Sequence, residues 1–249
     1  LVTEEPLEIR LGHGPLDSRN EIRLSVTMRT PGNDEELVLG FLFTEGLITD
    51  PGRVMRIVPC EHVKPDERGN VVRVELRPEV ELDPAKWQRN FYTTSSCGVC
   101  GKSSIEAVHA TCQRPAAPWG TLDPNVIRAL PDRMQEAQTV FQHTGGIHAA
   151  ALFYRAGKLL LLREDVGRHN AVDKVIGAAL AADLSLSEGQ LLVSGRAGFE
   201  LVQKCVIAGI PLMAAVGAPS SLAVELARES GLTLIGFLRG PRFNVYAPQ

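Results

Sequence analysis

The residues best equipped for chemistry lie in Thr93-Thr94-Ser95-Ser96-Cys97-Gly98-Val99-Cys100-Gly101-Lys102. Cys97 and Cys100 are one helical turn apart where a loop is expected to enter a helix. There the free backbone N–H groups and the positive end of the helix dipole favour thiolate over thiol. Lys102 adds a positive charge, and Gly98 and Gly101 clear side-chain bulk from around the sulfurs. This is the setting of a nucleophilic or sulfur-carrying cysteine. The alternatives are a buried pair without chemistry and half of a structural zinc site. A zinc site would need His109 and Cys112. In a single helix His109 would stand about 13 Å along the axis from Cys100 at ~1.5 Å per residue, whereas zinc bonds are about 2.0–2.3 Å long. A dithiol oxidoreductase would need a strand directly before the motif and a smaller compact fold. A zinc deaminase would need an upstream H-x-E, but His13 and His62 sit in Gly-His-Gly and Glu-His-Val.

A second constellation is a set of polar, basic loops: 163–170, with Arg163, Asp165, Arg168 and His169; Ser194-Gly195-Arg196-Ala197-Gly198; Gly217-Ala218-Pro219-Ser220-Ser221; and Arg239-Gly240-Pro241-Arg242. Each is expected to follow a strand. In an open parallel sheet such loops gather at one edge, where helix N-termini offer N–H groups to anions. Ser194 to Gly198 is short and glycine-rich, so its amides and the Arg196 guanidinium suit a phosphate. With Arg163, Arg168, Arg196, Arg239 and Arg242 brought together, the expected ligand is a nucleotide or pyrophosphate. His169, among Arg168, Asp165 and Asp173, is either an acid/base or ligand-binding group or a helix-start histidine paired with a nearby acid. His148, after Gly145-Gly146, reads equally as a core residue. Cys60, Cys112 and Cys205 are read as structural.

The elements that must hold these loops follow from hydrophobic patterning. Alternation over 7–11, 22–26, 54–58 and 72–76 predicts half-buried strands, and Asn33 or Asp34 caps a helix through Leu37 to Leu47. A second helix is expected from near Cys100 towards Cys112, and a third from Asp123 to Phe141, interrupted at Pro131. A hairpin is expected over 147–162. Beyond it come helix 170–182, strand 191–194, helix 199–208, strand 211–216, helix 221–229 and strand 232–238. This alternation predicts an α/β fold with a mixed or largely parallel sheet covered by helices on both faces, preceded by a smaller strand-rich domain. The divisions read from texture are 1–90, 91–144 and 145–249.

Composition bounds the rest. The 249 residues are 44% hydrophobic and 22% charged, enough for a sizeable core without staples. A net charge of −3 supplies no bulk field for nucleic acid or an anionic membrane, so an anionic ligand must be held locally. The five cysteines, an odd number, and the absence of a recognisable leader predict a reducing, cytoplasmic compartment. The uncharged stretch 205–224 is punctuated by Gly and Pro and reads as helix, strand, loop and helix rather than a membrane span.

Together these motifs resemble one known family, the formate dehydrogenase accessory sulfurtransferases. The resemblance rests on Glu4-Glu5-Pro6-Leu7, Thr30-Pro31-Gly32-Asn33-Asp34-Glu35-Glu36-Leu37 with Gly40-Phe41-Leu42, Ser95 to Gly101, Thr144-Gly145-Gly146-Ile147-His148, Glu164 to Lys174, and Ser194-Gly195-Arg196. It implies a fold similar to cytidine deaminases without their zinc, usually as a homodimer. It also implies a relay in which a cysteine desulfurase passes sulfur to Cys97 as a persulfide, with Cys100 assisting. The sulfur then goes to the molybdenum of the bis(molybdopterin guanine dinucleotide) cofactor destined for formate dehydrogenase, and GDP would mimic part of that ligand. By the same resemblance, Phe237-Leu238-Arg239-Gly240-Pro241-Arg242 is the cofactor-binding stretch. Arg168, His169, Ser194, Gly195 and Arg196 are expected beside it. The competing expectation is a non-catalytic chaperone that shields the cofactor.

Overall fold

A computed structural model describes residues 1–61, 63–80 and 119–247. Cys97, Cys100, Lys102, His109, Cys112, His62 and the helix expected from Cys100 lie outside the described residues.

The first ninety residues contribute β1 (Glu5–His13), β2 (Asn20–Arg29), α1 (Asp34–Thr44), β3 (Val54–Pro59) and β4 (Val71–Leu76). They form a four-stranded sheet of order β2-β1-β4-β3, antiparallel except for the parallel β1–β4 pair. Alternation sends Leu7, Ile9, Leu11, Val72, Val74 and Leu76 to one face, where they bury against Leu37, Val38, Leu39 and Leu42 of α1. The opposite face carries ion pairs such as Arg73–Glu75 at 2.7 Å and Arg10–Glu8 at 2.6 Å.

The remaining elements are α2 (Pro124–Ala137), α3 (Thr139–Thr144), β5 (His148–Tyr154), β6 (Leu159–Asp165), α4 (Arg168–Ala181), β7 (Gly189–Val193), α5 (Phe199–Ile207), β8 (Leu212–Ala215), α6 (Ser221–Ser230), β9 (Thr233–Arg239) and β10 (Arg242–Ala247). Six strands form a second sheet of order β10-β9-β8-β7-β5-β6. Only β7, β8 and β9 run parallel; β5, β6 and β10 pair antiparallel. The sheet is therefore mixed, with two hairpins flanking its parallel centre. Both faces are covered, and the β5 pleat divides them. Ala150 and Leu152 pack towards α4, α5 and α6, while Ala149, Ala151 and Phe153 pack towards α2 and Trp119.

Two local expectations need correction. The helix does not break at Pro131: α2 runs through it to Ala137, and the interruption falls at Gln138. Ile127, Leu130 and Met134 share one face buried against the sheet, so tertiary burial outweighs the amide hydrogen bond that proline cannot donate. In addition, Arg242, expected in a loop, begins the edge strand β10, which runs to Ala247.

The two sheets are joined through α1. Its apolar run Leu37 to Phe43 has a second face, and there it crosses α4 at Gly40 and Gly177. A Cβ at Gly40 would overlap the Asp173 carbonyl, and one at Gly177 would overlap the Glu36 carbonyl, so the backbones touch. Beside this crossing Lys204 donates to Asp173 (2.9 Å), Glu45 (3.0 Å) and Thr44 (2.9 Å). Burial opposes a charge on Lys204, but these carboxylates outweigh it and raise its pKa.

Candidate functional site

The parallel strands β7, β8 and β9 end at one edge of the second sheet. The antiparallel β5 begins there, so His148 stands opposite Asp165 at the end of β6. The loops after β6, β7, β8 and β9 meet along this edge. Ala197 and Pro219 pair as a parallel bridge. Gly217 N–H donates to Gly195 at 2.9 Å, Ser220 N–H to Ala197 at 3.0 Å, and Phe237 N–H to Gly217 at 3.0 Å. Gly217 has to be glycine for this contact, since an added Cβ would lie 2.9 Å from the Gly195 oxygen and 3.0 Å from Arg196 Cα.

The loop Glu164 to Lys174 is largely taken up by structure. Buried Asp165 accepts from the amides of Thr30 (3.1 Å) and Gly167 (2.8 Å) and from the Asn170 side chain (3.0 Å), and it pairs with Lys174 at 2.7 Å. Lys174 also donates to the Thr30 carbonyl (2.8 Å), and Asn170 to that of Met28 (2.7 Å). These bonds pin the end of β2 to the start of α4. Glu164 accepts from the amides of Val140 and Phe141, both at 2.8 Å, and so caps α3. Arg163 does not join the basic edge. It forms a two-pronged pair with Glu36 of α1, at 2.5 and 2.7 Å.

Arg168 and His169 open α4 at the edge. The acid beside His169 is Glu200, with Nε2 to Oε2 at 3.7 Å, rather than Asp165 or Asp173, which are occupied by Lys174 and Lys204. Interaction with His169 lowers the Glu200 pKa despite partial burial. His148 is exposed at the edge rather than in the core, and its ring lies over Gly195, 3.5 Å from where a Cβ would stand. Although the residue is exposed as a whole, partial burial of its ring, with Arg168 and His169 nearby, lowers its pKa and favours the neutral imidazole. Ser194 turns its hydroxyl oxygen to the Ala149 amide at 2.9 Å, while Arg196 is exposed.

Within the C-terminal stretch, Phe237, Arg239, Gly240, Pro241 and Arg242 are exposed. Leu238 instead packs its side chain in the core with Ile127 and Leu130. Gly240 has a positive φ of 55° and, with Pro241, makes the two-residue turn between β9 and β10. This sets Arg239 directly opposite Arg242. Like charges in register repel, and Arg239 Nε is held by the Val216 carbonyl at 3.1 Å. Phe237 has a φ of 54°, which an L-aromatic side chain adopts only under strain, and its ring is 46% exposed. Strain, exposure and paired arginines occur together at this edge. Periodicity reported none of the three, and Glu200 had no motif to single it out. Cys205 is buried in α5, where burial pushes its thiol up and keeps it inert. Cys60 is half-buried.

Among the described residues no three His, Cys, Asp or Glu side chains are grouped to hold a metal ion, and no helix is long and apolar enough to cross a membrane. The FdhD/NarQ family model matches residues 2–249. The chain belongs to that family. Relatives in it include the sulfur carrier protein FdhD of Streptomyces coelicolor, 54% identical over 99% of this chain and 86% of that protein. The sulfur carrier protein FdhD of Mycobacterium tuberculosis is 50% identical over 99% of this chain and 89% of its own length. A crystal structure of a protein assigned as a formate dehydrogenase accessory protein from Desulfotalea psychrophila superposes with a TM-score of 0.73. It is 26% identical and covers 99% of this chain and 88% of the other. That structure thus shares its fold with nearly the whole of this chain.

Proposed function

We propose that this protein accepts sulfur from a cysteine desulfurase as a persulfide on Cys97 and passes it to the molybdenum of bis(molybdopterin guanine dinucleotide) for formate dehydrogenase. The observation that carries the ligand half of this reading is the β9–β10 hairpin. Arg239 and Arg242 face each other there beside the strained, exposed ring of Phe237. Repulsion between two guanidiniums is relieved by an anion between them, and a flat exposed ring suits a base. The starts of α4 at Gly167 and α5 at Gly198, where the glycines bring no capping side chain of their own, add backbone dipoles to the same edge. GDP supplies the guanine and diphosphate of the larger ligand. Arg168, His169, Ser194, Gly195 and Arg196 flank it on this reading; Phe237, Arg239, Gly240, Pro241 and Arg242 contact it. Leu238 supports the hairpin from the core.

The sulfur half rests on family membership and on the C-x-x-C chemistry. The Cys97 thiolate attacks the terminal sulfur of the donor persulfide. A new S–S bond forms, the old one breaks, and the donor cysteine leaves as a thiolate, so no external oxidant is needed. Cys100 assists by exchange. On the same reading the protein works in the cytoplasm as a homodimer.

Intact mass after incubation with a cysteine desulfurase and cysteine tests this, with Cys97→Ser as the control. The expected result is a gain of one sulfur atom that maps to Cys97 and is lost in the variant, with GDP affinity the same in both proteins. No gain, with GDP still bound, would favour a cofactor-binding chaperone instead.

A further inference from the structure

His169 is the least settled polar group at the edge. Its side chain is only 14% exposed, and its Nε2 is buried without a hydrogen-bond partner. A buried ring nitrogen left unpaired is costly, and such a group in a folded protein calls for an explanation. The nearest acid is Glu200, two residues after Gly198, the cap residue of α5. Its Oε2 is 3.7 Å from Nε2, a few tenths of an ångström outside hydrogen-bond range.

The surroundings restrict what Glu200 can do. Its Oε2 lies 3.3 Å from where a Cβ on Gly198 would stand, so any other residue there would crowd the carboxylate. An Arg168 guanidinium nitrogen lies 3.8 Å from the same point, which puts a cation close to the carboxylate. The charged and titratable groups around the imidazole are thus Arg168 from its own helix, Glu200 from α5 and His148 from β5, with Asp165 beyond His148. Of the two acids, Asp165 is committed to Lys174 and to three N–H donors.

We infer that Glu200 is the positioning residue for His169: its carboxylate fixes the imidazole through Nε2 and leaves Nδ1 as the ring nitrogen offered to an anionic ligand at the sheet edge. A carboxylate facing one nitrogen sets the tautomer and supports the protonated ring. Such contacts are often long in the empty protein and tighten when ligand binds. Closure here needs movement of a few tenths of an ångström, which an anion drawing on Arg168 and His169 would favour. The pair therefore makes ligand affinity depend on how the His169 ring is held. The ligand part of this inference rests on the reading of the edge as a nucleotide site; the coupling of Glu200 to His169 does not.

The experiment separates those two parts. Imidazole nitrogen shifts of His169 are recorded by NMR in the full chain, without ligand, for wild type, Glu200→Gln and Glu200→Asp. The expected result is an Nε2–H tautomer in wild type, a weakened preference in Glu200→Gln and a preference kept in Glu200→Asp. GDP binding is then measured for the three proteins. Glu200→Gln is expected to bind about tenfold more weakly, although it removes a negative charge from an anion site, and Glu200→Asp to lose less. An unchanged tautomer in Glu200→Gln would overturn the inference. So would equal GDP affinity in wild type and Glu200→Gln. Absence of GDP binding to wild type would remove the nucleotide reading, and the tautomer alone would then decide the coupling.

Discussion

Phe237 is where one residue's backbone and its ligand chemistry oppose each other. A non-glycine residue at φ 54° sits in the left-handed region, at a cost of about 1 kcal/mol or more relative to glycine. Replacing it separates the two contributions. Phe237→Gly and Phe237→Ala both remove the ring, but only glycine relaxes the backbone. Phe237→Gly should therefore be more stable than Phe237→Ala by about 1 kcal/mol in urea titration, while both lose GDP affinity equivalent to about 1–3 kcal/mol of base stacking. Equal stabilities would remove the strain argument, and unchanged affinities would remove the ring from the site. A sequence does not report this conformation, because propensity alone would never place an aromatic residue at positive φ. The partner of His169 was equally hidden: Glu200 lies on another helix and becomes a neighbour only when the sheet brings the starts of α4 and α5 together.

At the scale of the elements, the α1–α4 crossing is the contact least tolerant of change. Gly177→Ala would put a methyl group into the Glu36 carbonyl. Because backbone rather than a flexible side chain must yield, the loss should reach about 3 kcal/mol, the upper part of the usual overpacking range. A chemical denaturation curve superimposable on wild type would mean the helices are not in backbone contact. Most elements were legible because their patterns are local. Alternation marked β1, β2 and β4, and the caps and breaks around 199–208 and 221–229 fall within a residue or two of the observed helices. Strand direction was legible where a short turn forces it, as in the β5–β6 hairpin; the antiparallel β9–β10 edge came out only from its pairing. Edge strand β10 was missed for a related reason. Exposed on much of its length, it lacks the apolar run that marks a central strand. Arg163 looked like a site residue because it lies next to one, and its side chain turns to Glu36 instead.

For the molecule as a whole, Asp165 is one of the points where the two halves are tied, through Thr30 on one side and Lys174 on the other. Asp165→Asn keeps the size but leaves the buried Lys174 ammonium without its counter-charge, and should cost about 3–5 kcal/mol. Adding Lys174→Met in that background should recover part of the loss, as expected of partners in one network. A loss of less than about 1 kcal/mol would put the pair on a par with a surface ion pair. The sandwiching of α1 also bears on how the chain is made. The first sheet is complete early in the chain, but the helix lying on it keeps an apolar second face whose cover, α4, is finished only after roughly 140 further residues. At translation rates of about 5–20 residues per second, that face waits on the order of 7 to 30 seconds beside the ribosome, longer than most small domains take to fold. A nascent chain arrested after β4 should therefore be a strong client for a holdase chaperone, and release should follow synthesis of α4.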